Sequence, residues 1–105
     1  MKVALYARVS TEQQIDNYSI PLQRERLEAF CASKGWTHTQ EYIDAGYSGS
    51  NLNRPALQQL QKDIKNKKIN MVIVYRLDRL SRSQRDTLYL IEEVFLPHEV
   101  EFISL

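Results

Sequence analysis

Four short apolar runs alternate along this chain with three stretches of helical spacing. The first run, Val3, Ala4, Leu5, Tyr6 and Ala7, is unbroken, as expected of a strand covered on both faces. From Pro21 to Ser33 the period changes. Ile20, Leu27, Phe30 and Cys31 fall on one side of a helix, with Pro21 suited to its first turn and Gly35 to its stop. A weaker strand is predicted from Thr37 to Ile43, followed by the loop sequence AGYSGSNLNRP. Asn53 is placed to cap a second helix carrying Leu57, Leu60 and Ile64. The clearest strand is Met71 to Tyr75. Ser83, with Asp86 three residues on, has the form of a capping box and opens a third helix with Leu88, Ile91 and Phe95, which Pro97 ends. Val100 to Leu105 reads as a fourth strand.

The order β-α-β-α-β-α-β predicts an α/β fold, a mostly parallel four-stranded sheet with helices on both faces. At 105 residues there is room for one domain with a modest core. A chain that stops in or just after a strand reads as the N-terminal part of a larger domain. The 43% hydrophobic and 26% charged content is that of an ordinary soluble protein. No apolar run approaches the roughly 18 residues of a membrane span, and the opening MKVALYARVS is not a signal peptide. The single Cys31 excludes an intramolecular disulfide and a Cys-based zinc site, so a reducing, cytoplasmic setting is expected. A net charge of +1 is low for a protein that grips duplex DNA by charge alone. If DNA is the substrate, most of the affinity must come from sequence outside this segment.

In open parallel sheets, sites form beyond the carboxyl ends of the strands. Three polar clusters fall there. Arg8, Ser10, Thr11, Gln13 and Gln14 follow the first strand, Ser48, Ser50 and Arg54 the second, and Arg76, Asp78, Arg79, Ser81, Arg82 and Arg85 the third. Arginine suits planar, two-pronged recognition of phosphate oxygens. Several arginines beside a strand-end serine suggest a hydroxyl attacking a phosphodiester, with fixed cations stabilising the charge that develops. Each such donor is worth about 2.7–4 kcal/mol by analogy with oxyanion holes.

YARVST at 6–11 with Gln14, YSG at 47–49 with Arg54, and LDRLSR at 77–82 together resemble the resolvase/invertase family of serine recombinases, in the family's order and over nearly all of the chain. NYSIPLQ at 17–23 is more similar to the large serine recombinases. The resemblance implies a truncated resolvase-like catalytic domain in which Ser10 attacks the scissile DNA phosphate and forms a 5′-phosphoserine. It matches Arg8, Arg79 and Arg82 to the arginines around the phosphate, and Asp78 to the carboxylate that orients them and is a candidate to handle a proton. Gln14, Ser48 and Arg54 match accessory positions that bind phosphate, and Gln23 matches another. It implies no metal and no cofactor. The implied partners are double-stranded DNA and further copies of the protein, as a dimer and as a tetramer on DNA. The DNA-binding region, a further strand and a long dimer helix are absent from residues 1–105, so this segment is expected to fold but not to recombine DNA alone.

Plainer readings compete. A strand-end serine is usually a turn residue or cap. The Arg76 to Arg85 run can be a solvated helix edge. Positions 79 and 82 are neighbours on a helical turn, whereas Arg76 and Arg85 are expected at the surface. Lys62, Lys65, Lys67 and Lys68 are expected to be solvated, with DNA backbone a weaker alternative. A tyrosine recombinase would need a His-x-x-Arg pattern that the sequence lacks, and a serine hydrolase a Gly-x-Ser-x-Gly elbow and a histidine serving Ser10. A non-enzymatic phosphate- or nucleotide-binding α/β module would explain the arginines but not the missing Gly-rich turn. A degenerate recombinase domain is the remaining alternative, although every matched position is present.

Overall fold

The computed structural model describes residues 1–10 and 19–105. Four strands form one sheet: β1 (Val3–Val9), β2 (Thr39–Ala45), β3 (Met71–Val74) and β4 (Glu101–Ser104). All pair in parallel, in the order β2-β1-β3-β4. The chain therefore reverses its direction of winding between β1 and β3, where open α/β sheets place ligands. The helices are α1 (Ile20–Lys34), α2 (Pro55–Lys65), the single turn α3 (Leu77–Leu80) and α4 (Gln84–Tyr89). The last runs on through a π-helical segment, Leu90–Phe95, and a 3-10 turn, Leu96–His98. Among the described residues no helix is long and apolar enough to cross a membrane.

The two-residue period of β1 and β3 divides the core. Ala4, Tyr6, Val72 and Val74 pack with Leu57, Leu60, Ile64, Leu90 and Val94 on one face. Val3, Leu5, Met71 and Ile73 pack with Leu27 and Cys31 of α1 on the other. Both faces of the central strands are covered, which explains their unbroken apolar runs.

Several boundaries differ from the sequence reading. β2 begins two residues later than predicted. As the chain leaves α1, Gly35 adopts the left-handed conformation that ends the helix, and Trp36 packs edge-on against Phe30. Only at Thr39 does the chain draw level with Val3. Asn53 does not cap α2. Arg54 occupies that position without a side-chain cap of its own, and the carboxylate of Asp44 instead accepts the amides of Ala56 (2.9 Å) and Leu57 (3.0 Å). In the last helix Leu88 is 48% exposed, and the buried residues are Leu90, Val94 and Phe95. The π-helical widening, with its i→i+5 spacing, turns Leu90 and Phe95 to the same side, which a uniform α-helical period does not anticipate. The predicted cap at Ser83 is present, its Oγ accepting the Asp86 amide at 3.2 Å.

Candidate active site

Among the described residues, six of the seven buried polar side chains gather at the carboxyl ends of β1, β2 and β3: Arg8, Gln23, Asp44, Arg54, Arg79 and Ser81, with Asp63 the exception. Buried charge is costly unless satisfied, so the partners of each group matter.

Arg8 lies on the face of β1 that carries Ala4 and Tyr6, one step beyond the apolar core. Its guanidinium is enclosed and donates to three backbone carbonyls: Nε to Arg79 (3.0 Å), Nη1 to Tyr47 (3.0 Å) and Nη2 to Asp78 (2.7 Å). One side chain thus fastens the loop after β2 and the turn after β3 to the end of β1. Burial, then the nearby guanidinium groups of Arg79 and Arg54, push its pKa down to about 10, so Arg8 remains a cation at neutral pH. Gly49 sits against it. A β-carbon there would lie 2.6 Å from Arg8 Nη2 and 2.8 Å from Cζ, so only glycine admits the guanidinium as placed. The Gly49 carbonyl accepts the Arg82 amide at 2.7 Å.

Arg79 is buried and grips Asp78 with two prongs, Nε to Oδ1 (3.2 Å) and Nη2 to Oδ2 (3.0 Å). The hydrogen bond from Arg79 holds the Asp78 carboxyl below its ordinary range against partial desolvation, with further lowering by the charges of Arg79, Arg82 and Arg8. Asp78 is therefore an anion at neutral pH, suited to orienting a guanidinium and poorly suited to supplying a proton. Arg82 is exposed and, with Asp78, Ser81, Ser83, Gln84 and Thr87, lines an open groove of about 630 Å³.

Ser10 stands one residue past the end of β1 with its Oγ shielded from solvent. It is two positions from Arg8, so its backbone lies within about 7 Å of the Arg8 Cα. The last β1–β3 pair is Tyr6 with Val74, so the Arg8 peptide groups lie beyond the sheet on that side. Gln23 of α1 serves in place of a strand: its Oε1 accepts from the Arg8 amide (3.3 Å) and its Nε2 donates to the Arg8 carbonyl (3.0 Å).

A second network supports Arg54. Its Nη1 donates to the Tyr6 hydroxyl (3.0 Å), which donates in turn to Asp44 Oδ2 (2.7 Å). Desolvation and the Asp44 contact push the Tyr6 pKa upward in spite of Arg54, so the phenol keeps its proton. Arg54 Nε is held by the Asn51 carbonyl, and its buried Nη2 has no hydrogen-bond partner among the described residues.

The fold thus brings Arg8, Gln23, Arg54, Asp78 and Arg79 together with the Ser10 end of β1. Ser48 is exposed on the same loop and shares its hydroxyl with Ser50 at 2.7 Å. Gln14, with Thr11 and Gln13, lies outside the described residues. Arg76 and Arg85 are exposed, as expected. Sequence reasoning missed Asp44, the Tyr6 hydroxyl and Gly49. Asp44 falls one residue past the predicted second strand and inside the observed one, where aspartate is disfavoured, so the local pattern did not mark it. Nothing in the sequence pairs Gly49 with Arg8.

The comparisons with known proteins bear on this geometry. The profile of the family described as "Resolvase, N terminal domain" matches residues 3–105. The crystal structure of the N-terminal catalytic domain of TP901-1 integrase is 50% identical with a TM-score of 0.93, covering 100% of this chain and 78% of that one. A resolvase family site-specific recombinase from Streptococcus pneumoniae is 34% identical with a TM-score of 0.81, covering 99% of this chain and 71% of that one. A putative DNA recombinase of Bacillus subtilis (strain 168) is 41% identical over 93 residues, which are 88% of this chain and 18% of that protein. A resolvase/recombinase of Pseudomonas putida is 37% identical over 93 residues, 89% of this chain and 45% of that protein. The chain thus spans less than half the length of either recombinase. An uncharacterized immunity region protein of Bacillus phage phi105 is 44% identical over 63 residues, 59% of this chain and 77% of its own length. On the family match and these likenesses, the chain belongs to the resolvase N-terminal domain family, the catalytic-domain family of the serine recombinases.

Proposed function

We propose that this chain supplies the catalytic centre of a serine site-specific DNA recombinase, with Ser10 as nucleophile. Ser10 Oγ attacks the scissile phosphorus, a P–Oγ bond forms and the P–O3′ bond breaks; the serine hydroxyl gives up its proton and the 3′-oxygen takes one up, leaving as a hydroxyl with no net change in protons. Rejoining reverses this: a 3′-hydroxyl of a partner strand attacks the phosphoserine and releases the serine. Bond energy is conserved throughout, so the reaction needs no nucleotide. Arg79 and Arg82 stabilise charge on the phosphate oxygens, Asp78 fixes Arg79, and Arg8 and Gln23 hold the backbone from which Ser10 projects. Arg54, Ser48 and Gln14 are assigned accessory phosphate contacts. The substrates are double-stranded DNA sites, brought together by further copies of the protein as a dimer and then a tetramer.

The observation that carries this reading is the Arg8 guanidinium, which binds the carbonyls of Asp78 and Arg79 two residues from Ser10 and so draws the nucleophile and the cationic turn to one rim. The test joins this domain to a DNA-binding region and traps reactions on the matching site in denaturant. A covalent protein–DNA adduct at the 5′ end is expected, and it is lost in Ser10→Ala. An adduct of undiminished yield in Ser10→Ala overturns the assignment.

A further inference from the structure

The opposite end of the sheet carries a second concentration of charge that the catalytic rim does not use. All six lysines of the chain, at 2, 34, 62, 65, 67 and 68, lie there, whereas six of the eight arginines, at 8, 54, 76, 79, 82 and 85, lie on the carboxyl side. The six lysines come from four separate places: before β1, the end of α1, the last turn of α2, and the turn that leads into β3. Backbone hydrogen bonds stitch these places into one line. Val3 donates to the His38 carbonyl (2.9 Å), Asn70 to the Lys2 carbonyl (2.9 Å), and Glu101 to the Asn70 carbonyl (3.0 Å), while the Lys2 amide donates to Asn70 Oδ1 (2.8 Å).

A preference for cations at helix C-termini accounts for Lys34, Lys62 and Lys65. It does not account for Lys2, Lys67 or Lys68. Five of the six are exposed, Lys2 is half-buried, and none forms an ion pair among the described residues. Lys34 rests over the Phe30 ring. The acids nearby are Glu99 and Glu101 at the β4 end of the line, and Asp63, which is occupied by Tyr42 and Gln59.

We infer that this lysine rim is a second contact surface for duplex DNA, one that engages phosphate backbone without reading sequence. Four strands set side by side span roughly 15 Å, the length of about four phosphates along one DNA strand. Hydrated point charges on flexible stems suit backbone contact of no fixed geometry, whereas the arginines are gathered where planar recognition is needed. A symmetric pairing of two such rims would set like charge against like charge, so a second copy is the poorer occupant. β1 separates the rim from Ser10 by about 20 Å, so it holds DNA other than the phosphate being cleaved. The inference rests on DNA as substrate but is independent of Ser10 chemistry.

The experiment measures binding of the 105-residue chain to a short labelled duplex of arbitrary sequence by fluorescence anisotropy, between roughly 50 and 200 mM salt. Replacing Lys65, Lys67 and Lys68 together with glutamine should make the slope of log affinity against log salt shallower by about 2.7, at 0.9 per lost contact. The matching triple arginine variant should keep the wild-type slope. Melting curves of the variants check that the fold is retained. An unchanged slope in the glutamine variant overturns the inference, as does absence of duplex binding by the wild type at low salt. A change in sedimentation without a change in slope assigns the rim to protein contact instead, and also overturns it.

Discussion

Replacing Asp44 with alanine tests whether the site's geometry depends on a carboxylate that is not itself in the reaction. Asp44 is 1% exposed and accepts three hydrogen bonds: the amides of Ala56 and Leu57 at the start of α2, and the Tyr6 hydroxyl that orients Arg54. Loss of the helix cap costs about 0.5–2 kcal/mol. Leaving the buried Tyr6 hydroxyl without its acceptor costs about 1–3 kcal/mol more. Together these give about 1.5–5 kcal/mol, a large part of the roughly 5–15 kcal/mol that holds a domain of this kind. At about 4–8 °C per kcal/mol, Tm should fall by roughly 6 °C or more. Asp44→Asn, which keeps one acceptor oxygen, should lose about half as much. Urea unfolding followed by circular dichroism gives the free energies, and calorimetry the Tm. A loss below about 1 kcal/mol in Asp44→Ala would refute the argument, because it would mean that neither the cap nor the phenol contact stabilises the fold.

Two other outcomes follow from the contacts around Arg8 and Asp78. Gly49→Ala introduces a methyl 2.6 Å from a guanidinium that three carbonyls hold in place, so relaxation must break charge-assisted hydrogen bonds. A loss of about 1–3 kcal/mol in denaturant unfolding is expected, with a greater proportional loss of DNA cleavage in a protein carrying the variant domain; wild-type stability would show that the guanidinium is free to move. The Asp78 carboxyl is held low by Arg79, so the ion pair contributes fully above the unfolded carboxylate pKa near 3.9, and its contribution is lost as pH falls through the lowered folded value. Because Asp78 is half exposed, the effect is discounted to at most about 1 kcal/mol. Asp78→Asn should therefore flatten the acid limb of stability against pH, and an unchanged limb would count against the pair.

The motif residues were legible because they are local in sequence. Arg79 lies one residue from Asp78 and Arg8 two residues from Ser10, so their association needs little more than a strand and a turn. The apolar runs determined the four strands and, through βαβ handedness, the parallel sheet that carries three loops to one edge. What each buried polar group bonds was not legible. Arg8 reaches carbonyls 39, 70 and 71 residues away, and Asp44 caps a helix twelve residues on where Asn53 was the local candidate. Gln23, matched by resemblance to a phosphate position, spends its amide on the Arg8 backbone because β3 has already ended there.

Period and composition, then, determined which segments become strands and helices, because burying an apolar face depends on spacing along the chain alone. Only the tertiary structure decided which donors meet which acceptors. A hydrogen bond requires two groups within about 3 Å, and for residues forty to seventy positions apart that distance is set by how the layers pack.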